Sequence, residues 1–258
     1  MLQNVTYTGD NMPIQAPFYK SPNNPQFCKD LKTISVYCRT KPEIIKKYLE
    51  PTPFEYVTDQ FVISVGDYSN GTAASFYDAG IIVPVRYKNV VGGYFLFEYE
   101  DLASSISGGR ELWGYPKKAG EFSWKEDDGR IEVGVARENH EIIHISLDMC
   151  AGAASELPNL TIYPHLLLWT MPKYGGPGIQ CQKLLARDTS MDFALKTKKE
   201  AAAHVTLSGY EHFPIIEPLD ELCPVEIYGA RYTVGDYACT EQNGWASLVD
   251  VIIPDPDF

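Results

Sequence analysis

Two adjacent amines, Lys117 and Lys118, stand in the stretch Ser107-Gly-Gly-Arg-Glu-Leu-Trp-Gly-Tyr-Pro-Lys-Lys-Ala-Gly-Glu-Phe122. A primary amine pressed against apolar surface loses hydration, its pKa falls, and more of it is the neutral nucleophile that attacks a carbonyl. Leu112, Trp113 and Tyr115 supply apolar groups close by. Gly108, Gly109, Gly114, Pro116 and Gly120 let the backbone bend sharply and approach other groups closely. Taken by itself the stretch reads as a turn carrying two solvated lysines, because lysine is usually exposed. Its setting has to decide otherwise.

Two carboxylates share that setting. Asp78 lies among apolar neighbours in Ser75-Phe-Tyr-Asp-Ala-Gly80, where turn capping is the commoner role and chemistry the rarer one. Glu98 lies in a strand pattern, Gly93 to Tyr99, whose alternation places it in one row with Tyr94 and Leu96, opposite Phe95, Phe97 and Tyr99. A third motif, His140-Glu-Ile-Ile-His144, matches the His-Glu-x-x-His string of zinc peptidases. That string binds metal only on a helix. On a strand its histidines stand about 13 Å apart, and the alternation of Ile131, Val133 and Val135 and then of Ile143, Ile145 and Leu147 predicts a hairpin. No metal site is expected.

The elements that position these groups are mostly strands. Thr33–Cys38, Gln60–Val65, Ile81–Arg86, Pro224–Thr233 and Trp245–Ile253 carry strand patterns. One helix is clear: Thr40 is placed to cap it, with Glu43 completing a capping box, and Ile44, Ile45, Tyr48 and Leu49 share a face until Pro51. Residues 191–203 have helical composition. Residues 1–30, punctuated by Pro13, Pro17, Pro22 and Pro25, read as an extended arm on one domain spanning 1–258.

Composition narrows the function classes. At 258 residues and 45% hydrophobic, the chain can bury a sizeable core. A net charge of −12 without a basic cluster argues against nucleic acid as a partner. No apolar run reaches the roughly 20 residues that span a bilayer, and Met1–Lys20 lacks a leader pattern, so the expected location is the cytoplasm, away from membranes. The six cysteines form no Cys-x-x-Cys pair and read as reduced, mostly core residues.

The ten residues Gly109-Arg-Glu-Leu-Trp-Gly-Tyr-Pro-Lys-Lys118 resemble the acetoacetate decarboxylase family, whose members carry Gly-Arg-Glu-Leu-x-x-Tyr-Pro-Lys-Lys around a Schiff-base lysine. Tyr37–Thr40, Val83-Pro-Val85, Pro172-Lys-Tyr-Gly-Gly176 and Val249-Asp-Val-Ile-Ile-Pro254 fall in family order, so the resemblance covers nearly the whole chain. It implies a mainly β (α+β) fold, an antiparallel β-barrel-like domain with few short helices, in which 191–203 is strand and loop. It implies a homo-oligomer that acts on a small keto acid without a cofactor. Lys117 becomes the expected nucleophile, tuned by burial, with Lys118 pointing to the opposite side in a supporting role. Asp78 stands where decarboxylating members have glutamate, and Tyr115 and Arg110 join Glu98 as expected substrate contacts. Val62 replaces a second family glutamate, Glu98 is placed to substitute for it, and Lys32 alone remains near the position of an expected arginine. Decarboxylation of acetoacetate or a related β-keto acid is the leading activity. The alternatives are aldol or dehydration chemistry on a 2-oxo acid and a non-catalytic acid-binding role.

Overall fold

The computed structural model describes residues 11, 12, 16–19, 25–190, 193–212, 215–240 and 242–256. Its strands are β1 (Gln26–Arg39), β2 (Glu55–Tyr56), β3 (Gln60–Asp67), β4 (Tyr77–Tyr87), β5 (Val90–Glu100), β6 (Lys117–Ala119), β7 (Glu121–Asp127) and β8 (Arg130–Arg137). They continue with β9 (His140–Asp148), β10 (His165–Pro172), β11 (Ile179–Arg187), β12 (Phe193–Leu207), β13 (Tyr210–His212), β14 (Ile215–Glu217), β15 (Glu226–Cys239) and β16 (Ser247–Ile253). The helices are α1 (Pro42–Leu49), α2 (Ala103–Gly108) and a π turn, Gly109–Trp113. Most of the 1–30 arm lies outside the described residues, and residues 26–30 already belong to β1.

Fourteen strands form one sheet in the order β16-β11-β10-β5-β4-β3-β1-β15-β12-β9-β8-β7, with β2 on β4 and β6 on β5. The expected barrel does not close, and the sheet is mixed. Its two parallel contacts are β10 on β5 and β6 on β5. A parallel neighbour needs a crossover, and α2 with the π turn provides it, carrying the chain from the end of β5 back to lay β6 alongside.

The two faces of the central strands differ in side-chain volume. Ile34, Val36, Ile63, Val65, Ile81 and Val83 pack into the main core, with Ile45 and Leu49 of α1 against them. The opposite face carries Thr33, Ser35, Ser64, Gly66 and Gly80, too small to fill the space above it, and a cavity of about 590 Å³ remains there. Close packing is normal for a protein interior, so a row of small residues across three strands is a built recess.

One local expectation is corrected, and two others hold. Thr40 does not cap α1: it is buried, its N–H donates to Asp59 O, and Lys41 holds the cap position without a side-chain bond. Pro42, which has no N–H to satisfy, opens the helix instead. Phe193–Leu207 is strand β12 despite its helical composition, because β15 and β9 pair with it on either side. His140 and His144 lie on strand β9, where His144 pairs with Glu132 and Glu141 at the surface.

Candidate active site

β5 is irregular in the one place that matters for the cavity. Ile81 pairs with Phe97 and Ile82 with Phe95, so Leu96 is an extra residue and the strand bulges. Alternation restarts beyond it. Tyr99 and Phe97 point into the core, while Phe95, Glu98 and, by the same alternation, Glu100 take the cavity face. The predicted row Tyr94, Leu96, Glu98 is thereby corrected, although Glu98 reaches the expected place. Cross-strand register then sets Asp78 of β4 opposite Glu100 and Gly80 opposite Glu98.

β6 brings the lysines to this row. Lys117 is the register partner of Glu98 and Lys118 that of Tyr99, so one residue of alternation separates the two amines. Lys117 Nζ lies 3.1 Å from Glu100 Oε2, a charge contact without good hydrogen-bond alignment, and 3.5 Å from Glu98 Oε1. Lys118 Nζ turns the other way, 3.0 Å from Glu217 Oε1, where Tyr99 Oη donates to Glu217 Oε2 at 2.7 Å. The glycine preceding Arg110 has a direct steric use. A Cβ at Gly109 would stand 2.6 Å from Lys117 Cδ and 2.7 Å from Cε, so the lysine chain lies across the bare backbone of the π turn. Gly114, at φ +82°, ends that turn against the backbone of Trp169.

Electrostatics in the recess run against the expectation from burial alone. Burial pushes Asp78 up to about 7 and Glu98 up to about 8, with Lys117 opposing both. Burial acts to lower Lys117, but Glu100, Glu98 and Asp78 outweigh it and hold the ammonium above its ordinary range. The three carboxyl groups set this balance, and the Lys118 amine is turned away toward Glu217.

The far wall is built from β10 and β11. Arg187 pairs with His165 in register, stacks 4.0 Å from the Trp113 ring, and donates to Gly244 O at 2.9 Å and to Tyr115 Oη at 3.4 Å. A guanidinium has only donors, so Tyr115 Oη accepts from Arg187, and its own O–H is then available to donate to His165 Nδ1 2.8 Å away, which would make the neutral imidazole the Nε2–H tautomer. Burial, reinforced by the Arg187 and Lys117 charges, holds it neutral, down to about 3. Tyr115 thus meets the cavity as expected. Arg110 does not line it; its Nη1 donates to Lys117 O at 3.0 Å and steadies β6. Val62 is buried against Tyr37 and Leu157, and Lys32 pairs with Glu126 on the other face. Glu100, His165 and Arg187 went unnoticed in the sequence. Glu100 alone had a signal there, as the residue two positions beyond Glu98 on one strand.

A sequence model described as "Acetoacetate decarboxylase (ADC)" matches residues 11–244. The chain belongs to the acetoacetate decarboxylase family. The acetoacetate decarboxylase of Burkholderia multivorans is 27% identical over 242 residues, covering 87% of this chain and 89% of that protein. The Burkholderia vietnamiensis enzyme is 26% identical over 243 residues, with the same coverage. A solved acetoacetate decarboxylase superposes with a TM-score of 0.79 at 18% identity, over 95% of this chain and 96% of the other. The enduracididine biosynthesis enzyme MppR, solved with pyruvate, gives a TM-score of 0.70 at 14% identity, over 94% and 97% of the two chains. These likenesses fix the fold and the family, and the family fold includes members with differing names.

Proposed function

We propose that this chain is a Schiff-base lyase that decarboxylates acetoacetate or a related small β-keto acid. The observation that carries the reading is Lys117 Nζ, buried in the recess within 3.5 Å of two carboxyl groups. Above about pH 8, where Glu98 is ionised, its carboxylate 3.5 Å from Nζ accepts a proton from the ammonium and frees the amine. The amine adds to the ketone carbon, the same proton returns to the carbinolamine oxygen, and water leaves. The resulting iminium draws in the electron pair of the carbon–carboxylate bond as CO2 departs, giving an enamine. Protonation of the enamine carbon and hydrolysis of the imine restore Lys117. Asp78, once ionised above about 7, repels the carboxylate about to leave and favours its loss as neutral CO2.

A second reading, aldol or dehydration chemistry on a 2-oxo acid, is favoured by Glu98 in place of the family carboxylate lost at Val62, and MppR was solved with pyruvate. Borohydride added with a keto acid adds the reduced adduct to the Lys117 peptide in the wild type and not in Lys117→Ala. Failure of every keto acid to label Lys117 would sink both readings. CO2 release from the same incubations separates them.

A further inference from the structure

Two guanidinium groups line the cavity. Arg231 has Glu200 at 3.4 Å and donates to Tyr37 Oη at 2.9 Å. Arg187 is buried, and among the described residues no carboxylate lies within ion-pair distance of it. Its acceptors are a carbonyl, a phenol and the Cys239 thiol at 3.4 Å. A buried cation is costly unless an anion pairs with it. The three carboxyl groups of the recess, on β4 and β5, sit beside Lys117 of β6, so the cavity has a carboxylate wall and a guanidinium wall. Both cations face one ring: Lys117 Nζ stands 5.6 Å and Arg187 Cζ 5.9 Å from the centroid of Tyr115. Lys117 and Arg187 thus share one cavity and one aromatic neighbour.

We propose that Arg187 is a specificity residue that holds a substrate carboxylate kept through turnover, so that the preferred substrates are short oxo acids with an anionic group besides any that is lost. This rests on the Schiff-base reading of Lys117. The reason is energetic. Decarboxylation disperses the charge of the departing carboxylate, and a guanidinium bonded to that group would stabilise the ground state over the transition state. The group seated at Arg187 is the retained one. If CO2 is released, the substrate is a β-keto dicarboxylic acid; if a carbon–carbon bond is made, it is a 2-oxo acid whose single carboxylate survives.

The test is borohydride trapping on Lys117 with 3-oxopentanedioate, pyruvate, acetoacetate and acetone, in wild type, Arg187→Gln and Arg187→Lys. The readout is the ratio of half-saturating concentrations of acid and neutral ketone within one sample, which is insensitive to a partly folded fraction. The expected result is a wild-type preference for 3-oxopentanedioate or pyruvate that falls roughly 30-fold or more in Arg187→Gln and less in Arg187→Lys. Which acid shows the larger fall identifies the source of the carboxylate. An unchanged ratio in Arg187→Gln overturns the proposal and leaves the lysine chemistry standing. If no carbonyl compound labels wild-type Lys117, the Schiff-base reading fails, and calorimetric binding of butanoate decides the carboxylate site separately. Butanoate binding lost in Arg187→Gln supports the site, whereas binding that is absent in wild type or unchanged in the variant overturns it.

Discussion

Glu98 and Lys117 are register partners across a parallel strand pair, and their side chains meet at 3.5 Å on the cavity face of the sheet. The next pair along, Tyr99 and Lys118, projects to the opposite face. A nucleophile and its proton acceptor are thus delivered by backbone pairing, and the second lysine is withdrawn by the same pairing.

Gly109→Ala separates activity from stability. Gly109 has helical φ, −60°, so alanine fits the backbone and gains up to about 1 kcal/mol of helix preference. The new methyl displaces the Lys117 chain it would touch at 2.6 Å. The expected outcome is a melting point within a few degrees of wild type and a borohydride-trapping rate lower by about 10-fold or more. Unchanged trapping would show that the lysine does not depend on the bare turn.

The recess makes stability depend on pH. Asp78 and Glu98 have raised folded-state values, about 7 and about 8, so the native protein holds protons that the unfolded chain releases. Their contribution is present below the unfolded carboxylate range and is lost as pH rises through 7 and 8. Lys117, also raised, stays charged throughout that window. Urea denaturation at intervals from pH 5 to 8.5 is expected to give falling stability in wild type. Glu98→Gln should remove on the order of 1 kcal/mol per pH unit from the slope. Parallel curves for the two proteins would contradict the raised value of Glu98.

Lys118→Met is expected to act on the scaffold. Glu217 is fully buried and keeps Tyr99 and Arg137 as partners, while the Lys118 side chain is 37% exposed, which tempers the loss. A destabilisation of about 1–3 kcal/mol by denaturant titration is expected, with the reduced adduct still found on Lys117. An adduct lost from folded Lys118→Met would assign this amine a chemical role.

Tyr115→Phe breaks the donor chain from Arg187 to His165. It strands one buried acceptor, His165 Nδ1, at an expected cost of about 1–3 kcal/mol. Imidazole 15N shifts provide the direct check. Wild-type His165 should show a protonated Nε2 at neutral pH, and a protonated Nδ1 would refute the direction of the chain.

Much of this arrangement could be read from residue order. The Tyr-Pro-Lys-Lys motif singled out Lys117, and Asp78 and Glu98 stood out as carboxyl groups in apolar company. The strand patterns at 33–38, 60–65 and 130–137 all lie within observed strands. Other features depend on neighbours remote in the chain. Arg187 ends an apolar strand, and its importance follows only from pairing with His165 and stacking on Trp113. Thr40 has capping chemistry, but Asp59, on an adjoining segment, claims its N–H. The open sheet follows from parallel pairings made through a crossover, for which local alternation carries no mark. The upward pull on Lys117 comes from three carboxyl groups on two strands, and their sum could be reckoned only once their distances were known.

The extra residue at Leu96 gives the end of β5 an interchangeable character. Shortening the strand by that residue would rotate its last four positions by half a turn, sending Phe97 and Tyr99 toward substrate and burying Glu98 and Glu100 in hydrocarbon. Chain length at this point is therefore as strict a requirement as residue identity. Any homologue that lacks the insertion must write its acidic and aromatic positions in the opposite phase to keep the same chemistry.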